Sequence, residues 1–313
     1  MTEILLHNYP QSPVAEKVRN AFGIKGLAWR SIEIPRLPPK PLLTALTGGY
    51  RRTPVMQIGA DIYCDSLGIL AEIERRQPEP GFFPGGTRPF AETLARWTDG
   101  ALFTLAVKLV LAGQGDALPA DFAADRGRLY LGPDWAERLR EARSDLPHLA
   151  AQMRSALATF DAMLADGRTC LTGTAPGLAD ALVWHVVWFV RGRWEGGPSL
   201  ISEFEALAAW ETRMAGIGHG AQGAELSGED AIAIAAAAEP AGPEGADPKD
   251  PQGLRPGMTI RVNPDLDGGE QPTEGVLRHA DRDRVSLVRE SAEAGRVCVH
   301  FPRAGYRVDV LDG

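Results

Sequence analysis

Cysteine is scarce and scattered: Cys64, Cys170 and Cys298 are the three in 313 residues. No two of them form a CxxC, and none stands at metal-ligand spacing from a histidine. A disulfide framework and a zinc ribbon are thereby excluded. The six histidines show no pairing that suggests ligation, so no metal site and no resident cofactor is expected. Long basic runs are missing as well. No Lys/Arg stretch exceeds two residues, and 33 basic against 41 acidic side chains leave a net charge of −8. Such a chain lacks the electrostatic footprint of a nucleic-acid binder, and no nucleic-acid partner is expected. No apolar stretch reaches the roughly 18 residues of a membrane helix, so no membrane partner is expected either. The opening MTEILLHNYPQSP has no basic region ahead of a long apolar run and does not read as a signal peptide. These gaps together point to a soluble, cytoplasmic protein.

Glycine and proline, 35 and 24 residues, are by contrast plentiful and clustered. One cluster runs from Gln77 to Gly86. Another, EPAGPEGADPKDPQGLRP from Glu239 to Pro256, holds no aromatic and one leucine, too little apolar surface to fold alone. Four segments follow: residues 1–84, 88–238, a linker at 239–253, and 254–313. In the first, Glu3–His7 reads as a short strand, and Pro13 opens a helix whose Val14, Val18, Ala21 and Phe22 recur at helical steps. Strands over Trp29–Ile34, Pro54–Ile58 and Ile62–Cys64 and a helix from Ser66 to Arg76 complete a βαβ–ββα order, that of the thioredoxin fold.

Residues 88–238 change to helical periodicity, clearest over Phe90–Leu105, Leu146–Leu164, Leu178–Val190 and Phe204–Met214. From 254 onward the period is two, over Met258–Val262, Val285–Val288, Val297–Phe301 and Tyr306–Val310. The expected fold is an α/β thioredoxin-like domain, then an all-α domain, then a small all-β unit of about five strands, an SH3-like barrel. In that last unit nine arginines face ten acidic residues, again no nucleic-acid surface. It carries no Ser/His/Asp constellation and no nucleotide loop.

Three ordered motifs fall on the first segment. Ser12-Pro13-Val14-Ala15-Glu16-Lys17-Val18-Arg19 opens the first helix, Arg52-Thr53-Pro54-Val55-Met56-Gln57-Ile58 leads into a strand, and Cys64-Asp65-Ser66 turns a strand into a helix. Together with a thioredoxin-like half ahead of an all-α half, they resemble the glutathione S-transferase family in its serine-type branch. The resemblance covers about residues 3–215 and leaves the tail unexplained. It implies that Ser12 donates a hydrogen bond to the glutathione sulfur, stabilising a thiolate at a helix N-terminus. Tyr9, at the end of the first strand, is the rival donor, and the Ser-Pro dipeptide favours Ser12. Neither position is a cysteine, which argues against disulfide-forming members.

The same resemblance implies a cis bond ahead of Pro54, with the backbone of Thr53 pairing with the cysteinyl part of glutathione like an added strand. It places Ser66 on the γ-glutamyl carboxylate and Asp65 on its ammonium, although the family usually has the longer Glu there. Lys40 and Arg52 become candidates for the glycyl carboxylate. Each residue also has an ordinary structural reading: a helix cap for Ser12 and for Asp65-Ser66, a strand-opening proline for Pro54, solvated charges for Lys40 and Arg52. Asp180, three residues after Gly177, reads as a structural cap of a buried helix. Trp97, Phe103, Trp184, Trp188 and Trp194 are candidates to line an acceptor pocket, with core packing the commoner role for such residues. The implied function is an enzyme that activates glutathione, as co-substrate, for attack on a hydrophobic small-molecule electrophile, working as a homodimer. The alternatives are a non-catalytic glutathione or hydrophobic-ligand binding protein, and a glutathione-dependent isomerase, etherase or dehalogenase.

Overall fold

The computed structural model describes residues 3–311 except 267, with residue 116 described by its backbone alone. The first segment forms β1 (Leu5–Asn8), α1 (Pro13–Lys25), β2 (Ala28–Glu33), α2 (Pro41–Thr47), β3 (Val55–Ile58), β4 (Asp61–Cys64) and α3 (Ser66–Arg76). β1 pairs parallel with β2 and antiparallel with β3, and β3 pairs antiparallel with β4. This is the thioredoxin-type sheet that the sequence pattern predicts. α2 is an addition. Pro41 starts it where no N–H is needed, and Gly48, at φ 82°, ends it in the left-handed conformation.

The helical part comprises α4 (Arg88–Arg96), a π-helical turn (Trp97–Ala101), α5 (Leu102–Gly113), α6 (Ala120–Leu131), α7 (Trp135–Ser144), α8 (Leu146–Leu164), α9 (Leu178–Arg193), α10 (Gly197–Ser202) and α11 (Glu205–Ile217). α9 is buried along most of its length, as its nearly continuous apolar sequence requires. Asp180 anchors its start. One carboxylate oxygen accepts from the Gly177 N–H at 2.9 Å, the other from the Leu171 N–H at 2.9 Å and the Trp210 indole at 2.8 Å. Among the described residues no helix is long and apolar enough to cross a membrane.

The remainder holds β5 (Ala221–Gln222), α12 (Gly228–Ala236), β6 (Gly245–Ala246), β7 (Thr259–Pro264), β8 (Thr273–Ala280), β9 (Arg284–Ser291), β10 (Gly295–Pro302) and β11 (Tyr306–Val310). The strands of the tail do not stand apart. β10 lies parallel to β4, with Cys298 opposite Asp61, Val299 opposite Ile62 and His300 opposite Tyr63. A single path of strands therefore runs β11-β7-β8-β9-β10-β4-β3-β1-β2-β5. Val297, Val299 and Phe301 of β10 share one apolar core with Leu277, Leu287, Tyr306 and Val308 of the tail and with Leu43, Leu46, Tyr50, Val55 and Ile62 of the first segment.

The expected boundaries change accordingly. One compact unit gathers the chain up to Ala15, Ala28–Arg75 and the chain from Ala221 on, while the other gathers Glu16–Leu27 and Arg76–Gly220. The tail is thus part of the thioredoxin-like unit and not a separate domain at 254–313. Helix α12, expected within an all-α domain ending at 238, packs Ala231 against Leu5 and Ile32 of that same unit. The linker expected at 239–253 is pinned. The Ala241 and Gly242 amides donate to Asp61, Gly242 C=O accepts from Arg278, and the Asp247 amide donates to Ala280. Its poor apolar content is offset by backbone hydrogen bonds to both halves of the unit.

Candidate functional site

Strand register gathers the motif residues at one edge of the sheet. His7 lies opposite Val55, and Val55 opposite Cys64. The end of β1, the start of β3 and the end of β4 therefore meet where α1 begins. Ser12 caps α1: its Oγ accepts the Ala15 N–H at 3.2 Å, and its own N–H donates to Tyr9 C=O at 3.1 Å. A hydroxyl that accepts still has a proton to give. Among the described residues no acceptor takes the Ser12 proton. The Thr53–Pro54 bond is cis, as expected.

Lys40, buried, donates through Nζ to Thr53 Oγ1 at 3.2 Å and to Arg51 C=O at 3.0 Å, with its charge 5.8 Å from the centre of the Tyr9 ring. Asp65 is the one described non-glycine residue with positive φ, 71°. Such a conformation costs energy and collects at functional turns. Asp65 Oδ1 accepts from the Leu67 amide at 2.8 Å, and buried Ser66 is the first residue of α3. Ser12, Lys40, Thr53, Pro54, Asp65 and Ser66 thus share one edge.

Arg52 is placed differently. Its guanidinium pairs with Glu270 of the tail and also donates to Leu266 C=O at 2.6 Å. Its charge is committed to a carboxylate of the same chain. The tail reaches the site a second time through Tyr306, whose hydroxyl donates to Asp65 Oδ2 at 3.1 Å. That proton is single, so the Tyr50 hydroxyl, 3.4 Å away, stands as donor to Tyr306. Burial, then the Asp65 charge, pushes both phenols well above their ordinary range and keeps them neutral. Neither Glu270 nor Tyr306 carried a local sequence signal. Tyr306 looked like any residue of a period-two strand.

Behind the edge lies a buried polar chain that the sequence also hid. His300 Nε2 is 2.9 Å from Asp61 Oδ1, and His300 Nδ1 is 2.7 Å from Ser286 Oγ. The carboxylate only accepts, so Nε2 carries the proton and Ser286 donates to Nδ1. Tyr63 stacks on the imidazole with ring centres 4.4 Å apart. This is a Ser/His/Asp order, assembled across β9, β10 and β4, yet all three side chains are at most 2% exposed. No substrate reaches them, and the chain reads as a fastener between the tail and β4. Cys298 Sγ lies within 4.8 Å of ligand atoms of Asp61 and His300, which gives the trio metal-ligand types. Both imidazole nitrogens and both carboxylate oxygens are already spent on hydrogen bonds. Burial, then Asp61, pushes the Cys298 thiol up to about 12. A protonated thiol is a poor ligand, and the donor set does not fit a metal.

The other two thiols are shifted in the same direction. Burial raises Cys64 well above its ordinary range and also raises Cys170. The chain therefore presents no thiolate of its own near neutral pH. In the helical unit, most of the aromatics proposed for an acceptor pocket are packing groups. Trp97 lies against Phe160, Phe103 against Tyr130, His185 and Phe189, and Trp194 under Gly113. Trp184 donates to buried Glu16 at 2.9 Å, and Trp188 carries the Arg193 guanidinium.

Comparison with known proteins agrees with the fold. The N-terminal domain model of glutathione S-transferase matches residues 6–81, and the C-terminal domain model matches residues 133–213. No curated protein matches the chain significantly. Among solved structures, a GST-like protein from Pseudomonas syringae is 35% identical, with 99% of this chain and 100% of that chain covered and a TM-score of 0.81. A glutathione S-transferase from Rhodospirillum rubrum is 19% identical, covering 67% of this chain and 86% of its own at a TM-score of 0.50. A poplar glutathione transferase is 13% identical, covering 69% and 93% at a TM-score of 0.51. About a third of the chain thus has no counterpart in these last two, whereas the Pseudomonas relative spans nearly all of it. The chain belongs to the glutathione S-transferase family.

Proposed function

We propose that the protein is a glutathione transferase that activates the glutathione thiol for attack on an apolar electrophile. The observation that carries this reading is Ser12: a hydroxyl with an uncommitted proton at the first turn of α1, on the sheet edge shared with Thr53, Pro54, Asp65 and Ser66. A free thiol ionises near 8.5, and the thiolate is the nucleophile. A hydroxyl donor beside the positive end of a helix lowers that value, and holding the thiolate against the acceptor supplies the proximity. Ser66 at the start of α3 takes the γ-glutamyl carboxylate, Asp65 the ammonium, Thr53 the cysteinyl backbone and Lys40 the glycyl carboxylate. Arg52, held by Glu270, contributes less to that carboxylate than a solvated arginine does. No further cofactor takes part.

Retention on immobilised glutathione, measured beside turnover of an electrophilic aromatic acceptor, tests this reading. Retention with turnover is the expected result. Retention without turnover favours the binding-protein alternative, and neither overturns the glutathione site.

A further inference from the structure

Resting on the glutathione reading above, we propose that Tyr306 is the specificity-determining residue of the γ-glutamyl end of the site, and that through it the tail selects ligands bearing a free α-ammonium group. Three features converge. Tyr306 belongs to β11, more than 240 residues along the chain from Asp65, yet its hydroxyl meets the second carboxylate oxygen of Asp65 at 3.1 Å. The first oxygen is taken by the Leu67 amide at 2.8 Å. Each carboxylate oxygen thus has a donor from a different part of the chain, and the carboxylate plane is held.

The donor is a neutral phenol, so it orients the carboxylate without cancelling its charge. A lysine or arginine at 306 would hold Asp65 equally well but would compete with a ligand ammonium. Tyr306 is itself held. Tyr50 donates to its hydroxyl, and its ring packs 5.3 Å from Phe301 and 6.4 Å from Tyr50 in the core common to the tail and the thioredoxin-like strands. Aspartate, one methylene shorter than glutamate, has one rotatable bond fewer, and the two donors hold what freedom remains. The positive φ of Asp65, 71°, places its side chain at the turn where that support arrives.

Calorimetric titration of the full chain with glutathione, and with the analogue in which the α-ammonium is replaced by hydrogen, tests the proposal. Wild type should prefer glutathione. Tyr306→Phe should weaken glutathione about tenfold and leave the analogue within twofold, because a charge-assisted hydrogen bond of this kind matters only when the ammonium is present. Asp65→Asn should abolish the preference, and adding Tyr306→Phe to it should change nothing further. Equal weakening of both ligands by Tyr306→Phe would mark a merely structural role and overturn the proposal, as would an unchanged preference. If Tyr306→Phe does not fold, retention of the preference by Asp65→Asn alone overturns it. Failure of wild type to bind glutathone's full tripeptide at all refutes the underlying glutathione reading, and this assignment with it.

Discussion

Ser12 uses one oxygen in two ways: it accepts from the Ala15 amide and keeps a proton to donate. Ser12→Ala removes the donor to a developing thiolate, a loss of about 2–4 kcal/mol, so kcat/KM for conjugation should fall by roughly 30- to 1,000-fold. Tyr9→Phe should stay within a few-fold of wild type in the same assay. The reverse outcome would make Tyr9 the donor. Lys40 and Arg52 separate in another way. Lys40→Ala should raise KM for glutathione distinctly more than Arg52→Ala, because Arg52 already faces Glu270. Steady-state kinetics at varied glutathione settle the order, and an equal rise would show that the ion pair opens for the ligand. The local placement of Ser12, Pro54 and Ser66 was legible in the sequence because a helix start or a turn is set by neighbours one to three positions away. The commitment of Arg52 was not legible, because its partner lies 218 positions off.

β10 joins the tail to the sheet by lying beside β4, and the Asp61–His300–Ser286 chain fastens that joint. Removing one member of a buried, hydrogen-bonded pair leaves the other uncompensated. His300→Ala should therefore cost about 3–5 kcal/mol of stability in urea unfolding. A loss below about 1 kcal/mol would show that the joint rests on apolar packing alone. Period-two alternation made β7, β9, β10 and β11 readable. β8 was missed because Glu274, Gly275, Arg278 and His279 dilute its apolar face and a bulge near Leu277 breaks the alternation. α2 was missed behind the prolines at 38, 39 and 41. The helices α6 and α7 were missed as well. They bury narrow stripes, such as Leu139 and Ala142 in α7, among many charges. The pairing of β10 with β4 had no signature at all. An edge strand reads the same whether water or another strand covers it.

For the molecule as a whole, the shared core changes what truncation should do. A tail that formed a separate domain could be removed without harm to the rest of the chain. Deleting 254–313 instead bares Tyr50, Val55, Ile62 and the edge of β4. The shortened chain should aggregate or lose its cooperative thermal transition, as followed by circular dichroism and light scattering. A soluble, cooperatively folding 1–253 fragment would contradict the common core. Acid should also destabilise the protein. Burial holds His7, His185 and His300 below the ordinary imidazole value of 6.5, His7 down to about 4. The unfolded chain binds those protons more readily, so this contribution is full above pH 6.5 and is lost as pH falls toward 4. Each such histidine adds up to about 1.4 kcal/mol per pH unit across its window, and urea midpoints at about pH 7.5 and about pH 5 measure the sum. Equal midpoints would mean that the histidines are solvated. The central claim concerns the bound thiol, and its titration is the most direct test. Ultraviolet absorbance of the thiolate, followed against pH in the complex with glutathione, should give a pKa clearly below the free value of about 8.5 in wild type and a return toward it in Ser12→Ala. A bound thiol that titrates like free glutathione in the wild-type protein would contradict the account.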